Sequence, residues 1–136
     1  FDPRASTEGR RTVLIVEDTQ FFLELAKDIL SRRYRAIGVR TAAEARHVLA
    51  TEPVDMVVLD LTLPDADGVA VLRSLPRRGI PVLVYTSRDE TQMLGAEWDT
   101  LRSLGAEDVV HKGINIEDAL LRKVDELMQR SLLRTI

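Results

Sequence analysis

At 136 residues, 45% hydrophobic and 30% charged, the chain has the size of one globular domain and enough apolar material for a core. A net charge of −3 makes no electrostatic case for nucleic acid as a direct partner, and the lack of cysteine excludes disulfides, thiol chemistry and thiolate metal sites, which fits a reducing cytoplasm. No apolar run approaches the roughly 20 residues of a membrane span, and no signal peptide is visible.

Residues 1–11, FDPRASTEGRR, form a polar prelude that reads as a linker, a cloning remnant or the edge of a longer protein, with the fold expected over 12–136. Residues 12–16, TVLIV, are a wholly apolar, β-branched run that suits a strand buried on both faces, and it ends at Glu17 and Asp18. From 21 to 30, Phe22, Leu25, Ala26, Ile29 and Leu30 recur at helical spacing, with Glu24, Lys27 and Asp28 opposite. Residues 34–39 are a weaker strand candidate. Thr41-Ala-Ala-Glu44 is a capping box that opens a helix through Leu49, and Pro53 closes the loop behind it. Met56, Val57, Val58 and Leu59 run straight into Asp60, after which Pro64, Asp65, Asp67 and Gly68 read as a turn leading away from the strand end.

Residues 69–75 predict a short helix, stopped at Pro76 and followed by a basic turn over 77–79. Residues 80–85 are a further apolar run, interrupted early by Pro81 and ending at Thr86 and Ser87. A helix is expected over 90–104, with Met93, Leu94, Trp98, Leu101 and Leu104 apolar and Gly105 its stop. Residues 108–111 predict a short strand ending at Lys112. Asn115 is the expected N-cap of a last helix whose Ile116, Leu120, Val124, Leu127 and Met128 face inward. Five strands alternating with five helices predict a three-layer α/β domain around a parallel sheet.

In a parallel sheet the carboxyl ends of all strands share one edge, where open α/β sheets bind their ligands. Taken alone, Asp60 reads equally as a cap on its strand. The neighbouring strand ends add Glu17, Asp18, Thr86 and Lys112 to the same edge. Crowded carboxylates repel one another and a divalent cation offsets that repulsion; oxygen-only ligands favour Mg²⁺ over zinc. A carboxylate held there, faced by a lysine and a hydroxyl, can attack a phosphoryl group. Lys112 stands out because the chain has 16 arginines and only three lysines, and a compact ammonium suits a point contact to a phosphoryl oxygen.

The blocks VLIVEDTQFFLELAKDIL, VVLDLTLPDADG, PVLVYTS and GAEDVVHK, in that order, resemble those of the response-regulator receiver domain of two-component signalling. The resemblance runs from Thr12 to about Met128. It implies a flavodoxin-like, doubly wound sheet of order 2-1-3-4-5, with Asp60 as phosphoacceptor. It further implies that Asp18, Asp60 and the carbonyl of Thr62 bind Mg²⁺ directly and that Glu17 acts mainly through a coordinated water. Thr86 would bond the phosphoryl group and Lys112 would pair with it. The implied donor is a histidine kinase or phosphotransfer protein, and the implied recipient of the signal is a downstream protein or output domain. No DNA-binding domain is expected within the chain, which reads as a stand-alone receiver or a piece of a multidomain protein, cytoplasmic and not a metabolic enzyme.

Three features depart from the family pattern. Val109 stands where the family usually has a Tyr or Phe whose ring turns inward. Gly113 stands where the family has a proline, normally after a cis peptide bond that aims the lysine; a cis bond before glycine costs about 2.5–4 kcal/mol. The stretch from Thr86 to Lys112 is long by roughly one helical turn, which enlarges residues 88–104, a face suited to partners or a homodimer.

Several residues carry a plain reading beside a functional one. Trp98 is either an interface anchor or a packing residue. His111 and His47 are expected to pack rather than to ligate. Arg32, Arg33 and Arg35 read as a solvated loop rather than an anion site. Phe22 is expected in the core and Phe21 at the pocket rim, where the resemblance places kinase docking. The competing functions are a pseudo-receiver that only binds proteins, a dehalogenase-type phosphatase and a flavin carrier. The phosphatase needs a second aspartate where Thr62 stands, and the flavin carrier needs a phosphate loop where Glu17-Asp18-Thr19 stands.

Overall fold

Apolar, β-branched runs supply the strands because both faces of this sheet are covered. In the computed structural model, residues 9–61, 63–66, 68–74, 79–87, 96–113 and 115–134 are described. The strands are β1 (Thr12–Val16), β2 (Arg35–Val39), β3 (Met56–Leu59), β4 (Val82–Thr86) and β5 (Ala106–His111). The helices between and after them are α1 (Gln20–Leu30), α2 (Ala42–Thr51), α3 (Gly68–Ser74), α4 (Ala96–Ser103) and α5 (Ile116–Arg134). The sheet is parallel throughout, in the order β2-β1-β3-β4-β5, which is the flavodoxin-like topology expected.

Alternation along each strand divides the core in two. Leu14, Val16, Val57, Leu59 and Val84 pack against Ala45 and Leu49 of α2, Val71 and Leu72 of α3 and Leu101 of α4. Val13, Ile15, Val58, Leu83 and Tyr85 face the other way, onto Leu23, Ala26 and Ile29 of α1 and Leu120, Val124 and Leu127 of α5. β1 and β3 are neighbours at the centre of the sheet, and the chain runs outward to β2 on leaving β1 but in the opposite direction, to β4, on leaving β3. The resulting crevice opens outside the carboxyl ends of β1 and β3, where such sheets place their ligands.

Tertiary contacts move some local expectations. Phe22 is half-buried and Leu23 takes the core position, because the face of α1 that meets the sheet runs through Leu23, Ala26, Ile29 and Leu30. Thr41 caps α2 by accepting from Glu44 N at 3.1 Å, but Glu44 does not close the expected box, since its carboxylate meets the Thr41 hydroxyl instead. The open N–H groups of Ala42 and Ala43 go to Asp65, at 2.9 and 3.1 Å. Arg32, Arg33 and Arg35 are ion-paired with Glu117, Asp125 and Glu52 rather than simply solvated. Asn115 immediately precedes α5, yet with φ 65 it is left-handed, not the extended backbone of an ordinary N-cap; Asn is among the few residues that adopt this region readily.

Gly105 ends α4 as expected, with φ 116, a value that disfavours any side chain. At Gly68 the constraint is space: a Cβ there would lie 2.5 Å from Leu61 Cδ2. β5 begins at Ala106, two residues before the expected start, and α5 continues to Arg134. Arg77 and Arg78 of the expected basic turn, the start of the 90–104 helix and the prelude through residue 8 lie outside the described residues.

Candidate functional site

β1 ends at Val16, and Glu17 N donates to Val39 O at 3.0 Å, carrying the strand pairing one residue further. Glu17 is fully buried. Its Oε2 accepts from Thr19 N at 3.0 Å and its Oε1 is ion-paired with Lys112. Asp18, half-buried, is held by its main chain, because Arg40 donates to its carbonyl oxygen from Nε at 3.1 Å and Nη2 at 2.8 Å. Asp60 N donates to Val16 O at 2.9 Å, fixing the residue after β3 against the end of β1, and Asp60 is 6% exposed.

Glu17, Asp18 and Asp60 each offer a carboxylate oxygen, and these atoms lie within 4.8 Å of one another. The expected acidic set is therefore brought together. The donors are all oxygen, which fits a hard divalent cation. Thr62, expected to add a carbonyl, lies outside the described residues.

Thr86 ends β4, is 3% exposed, and has His111 as its register partner on β5. Lys112 N donates to Thr86 O at 2.8 Å, and Gly113 N to His111 O at 3.0 Å. The peptide bond into Gly113 is trans, so the lysine is aimed without the cis bond of the family pattern. The Lys112 side chain is 6% exposed, and its Nζ lies 3.6 Å from Asp60 Oδ1 in addition to the Glu17 contact.

Sequence reasoning missed the aromatic surround of that ammonium. Lys112 Nζ lies 5.0 Å from the ring centroids of both Phe22 and Tyr85. Burial pushes the Tyr85 phenol well above its ordinary value of 10.0, helped by the negative charges of Glu17 and Asp60, so the ring stays neutral. The available signal was position: Tyr85 directly precedes Thr86 on a strand, and Phe22 stands on the first turn after the acidic pair. Of the other residues singled out, Phe21 is 68% exposed. Val109 and Trp98 pack, partly buried, against the cluster on the α2–α4 side. His111 Nε2 is buried without a hydrogen-bond partner among the described residues.

A parallel sheet of order 2-1-3-4-5 carrying acidic residues after β1 and β3, a hydroxyl at the end of β4 and a lysine after β5 defines a receiver of the two-component type. The chain belongs to the response regulator receiver domain family, whose model matches residues 13–125. It is 32% identical over 132 residues to the probable transcriptional regulatory protein TcrX of Mycobacterium tuberculosis, across 92% of this chain and 53% of that one. It is 36% identical over 118 residues to the transcriptional regulatory protein KdpE of the same species, across 81% and 48%. The chain thus spans about half the length of the curated relatives it matches. Solved structures with the same fold include a response regulator receiver domain protein from Methanospirillum hungatei JF-1, with a TM-score of 0.81 and 24% identity over 92% of this chain and 98% of that one. A receiver domain from Methylobacillus flagellatus aligns with a TM-score of 0.72 and 28% identity, over 88% and 98%. No helix among the described residues is long and apolar enough to cross a membrane.

Proposed function

We propose that this receiver domain accepts a phosphoryl group on Asp60 from a phosphohistidine of a histidine kinase or phosphotransfer protein. The observation that carries this reading is the Lys112 ammonium 3.6 Å from the buried Asp60 carboxylate, beside two further carboxylates close enough to share a cation. In the transfer, an Asp60 oxygen attacks phosphorus and the P–N bond breaks. The imidazole leaves with the electron pair and takes up a proton, and water later hydrolyses the acyl phosphate to regenerate Asp60.

Glu17, Asp18 and Asp60, with the Thr62 carbonyl implied by the family, would hold Mg²⁺. When bound, it neutralises the carboxylates and draws charge from the phosphoryl oxygens. Lys112, whose Nζ lies 3.6 Å from Asp60 Oδ1, supplies a second positive charge. The Thr86 hydroxyl, at the end of β4, bonds a phosphoryl oxygen. The domain catalyses its own phosphorylation and dephosphorylation and no other reaction.

Val109 lacks the volume to fill space behind a moving Thr86, so the signal leaves by another route. We assign that route to residues 88–104, whose described part carries α4 and Trp98, and to a partner, output domain or second copy that this face meets. We place the domain in the cytoplasm, with proteins rather than nucleic acid or membrane as its partners.

Incubation with Mg²⁺ and phosphoramidate, followed by mass spectrometry under native conditions, tests the reading. A single phosphate adduct is expected, lost on chelation, in Asp18→Ala and in Asp60→Asn. A wild-type protein that never forms the adduct would favour a protein-binding module that does not use phosphorylation.

A further inference from the structure

Lys112 needs an aim. Its ammonium has to lie near Asp60 yet remain available to an incoming phosphoryl oxygen, and the trans peptide before Gly113 leaves that task to other groups. An ion pair alone is a poor device for it. The Glu17 carboxylate that now holds Lys112 belongs to the acidic set, and a negative partner competes with the anionic ligand for the same charge.

We propose that Phe22 and Tyr85 are positioning residues for Lys112, holding its ammonium between two ring faces and directing it toward Asp60. Nζ lies 5.0 Å from each ring centroid, inside the range where a cation is drawn to the negative face of an aromatic ring. The rings are 6.3 Å apart and nearly perpendicular, at 86°, so they bound the ammonium on two sides. They are also tied together: Tyr85 Oη donates to the Phe22 carbonyl oxygen at 3.4 Å, linking the first turn of α1 to the end of β4.

Burial makes the attraction count. Tyr85 is fully buried and the lysine side chain nearly so, leaving little water to screen the ring quadrupole. A neutral ring holds a cation without adding a negative charge to a site that already has three carboxylates. The rings therefore keep Lys112 in place when Glu17 turns to other partners. The placement itself is independent of the phosphoacceptor reading; its consequence for phosphoryl transfer rests on that reading.

Two readouts test this on the intact chain. The first is the NMR signal of the Lys112 Cε protons, which two ring faces shift upfield whether or not phosphate is transferred. The second is the rate of phosphorylation by phosphoramidate with saturating Mg²⁺. Phe22→Leu, at a half-buried position, should move the Lys112 signal downfield and lower the rate about tenfold. Phe22→Tyr should restore both.

Tyr85→Leu should do the same as Phe22→Leu if it folds, and Tyr85→Phe supplies a variant that keeps the ring. In a Lys112→Ala background, Phe22→Leu should cause no further loss of rate, because the group it positions is gone. A Lys112 signal unmoved by Phe22→Leu, or an equal rate loss in the Lys112→Ala background, would overturn the proposal. If the wild type takes no phosphate while the Lys112 shift responds as described, the placement stands and the phosphoacceptor reading fails.

Discussion

Asp18 differs from its two acidic neighbours in what holds it. Glu17 has Lys112 and Thr19 N on its carboxylate, and Asp60 faces Lys112, whereas Asp18 is anchored through its carbonyl oxygen by Arg40. Its carboxylate therefore adds repulsion more than attachment. Two like charges separated by the 4.8 Å that bounds this cluster repel by about 3 kcal/mol at an effective dielectric constant of about 20. Asp18 is only half-buried, so solvent takes part of that away. Asp18→Asn should then stabilise the metal-free domain by about 1–2 kcal/mol and abolish most of the further stabilisation by Mg²⁺. Thermal melts with and without Mg²⁺ check this, and a variant that melts below the wild type in chelator would count against the crowding.

At the scale of elements, the loop after β3 is tied to the start of α2 by Asp65. The N–H of Ala42 is the main cause of a carboxyl held below its ordinary 3.8, with Ala43 adding to it and Arg46 contributing less. Because the folded-state value is lowered, the stabilisation is fully present above 3.8 and is lost as the pH falls through the lowered value. Asp65→Ala should melt below the wild type at neutral pH, with the gap closing as the pH drops under 3.8. A gap that ignores pH would mean that the carboxylate is not the cap. Thr41 was legible as the cap of α2 from its own neighbours; Asp65 was not, because it comes from another part of the chain and only tertiary folding brings it there.

α4 carries the second expectation at this scale. Trp98 is partly buried against the same cluster as Val84 and Leu101, so a shift of α4 changes its surroundings. Packed elements move between discrete arrangements rather than bending continuously. Beryllofluoride with Mg²⁺, a mimic of the phosphoryl group, should change Trp98 emission, and Thr86→Ala should blunt the change. Identical emission and amide exchange across 96–104 at a saturated site would place the output face elsewhere.

For the whole molecule, the sheet order and the convergence of Glu17, Asp18, Asp60, Thr86 and Lys112 were legible because each follows an apolar strand run, and parallel strands share one carboxyl edge. What stayed hidden was lateral. Helical spacing suggested Phe22 for the core, while the meeting of α1 with the sheet turned Leu23 inward and left the Phe22 ring for Lys112. Val109 was marked by its small size, but its surroundings came only with the packing of β5 on β4.

The central claim is that Asp60, and no other carboxylate of the crowded set, receives the phosphoryl group. Borohydride reduces an aspartyl phosphate to homoserine, which marks the acceptor permanently. After phosphorylation with Mg²⁺ and phosphoramidate, reduction and peptide sequencing by mass spectrometry, homoserine is expected at position 60 alone. Homoserine at position 18, or at no aspartate while the adduct forms, would contradict the account.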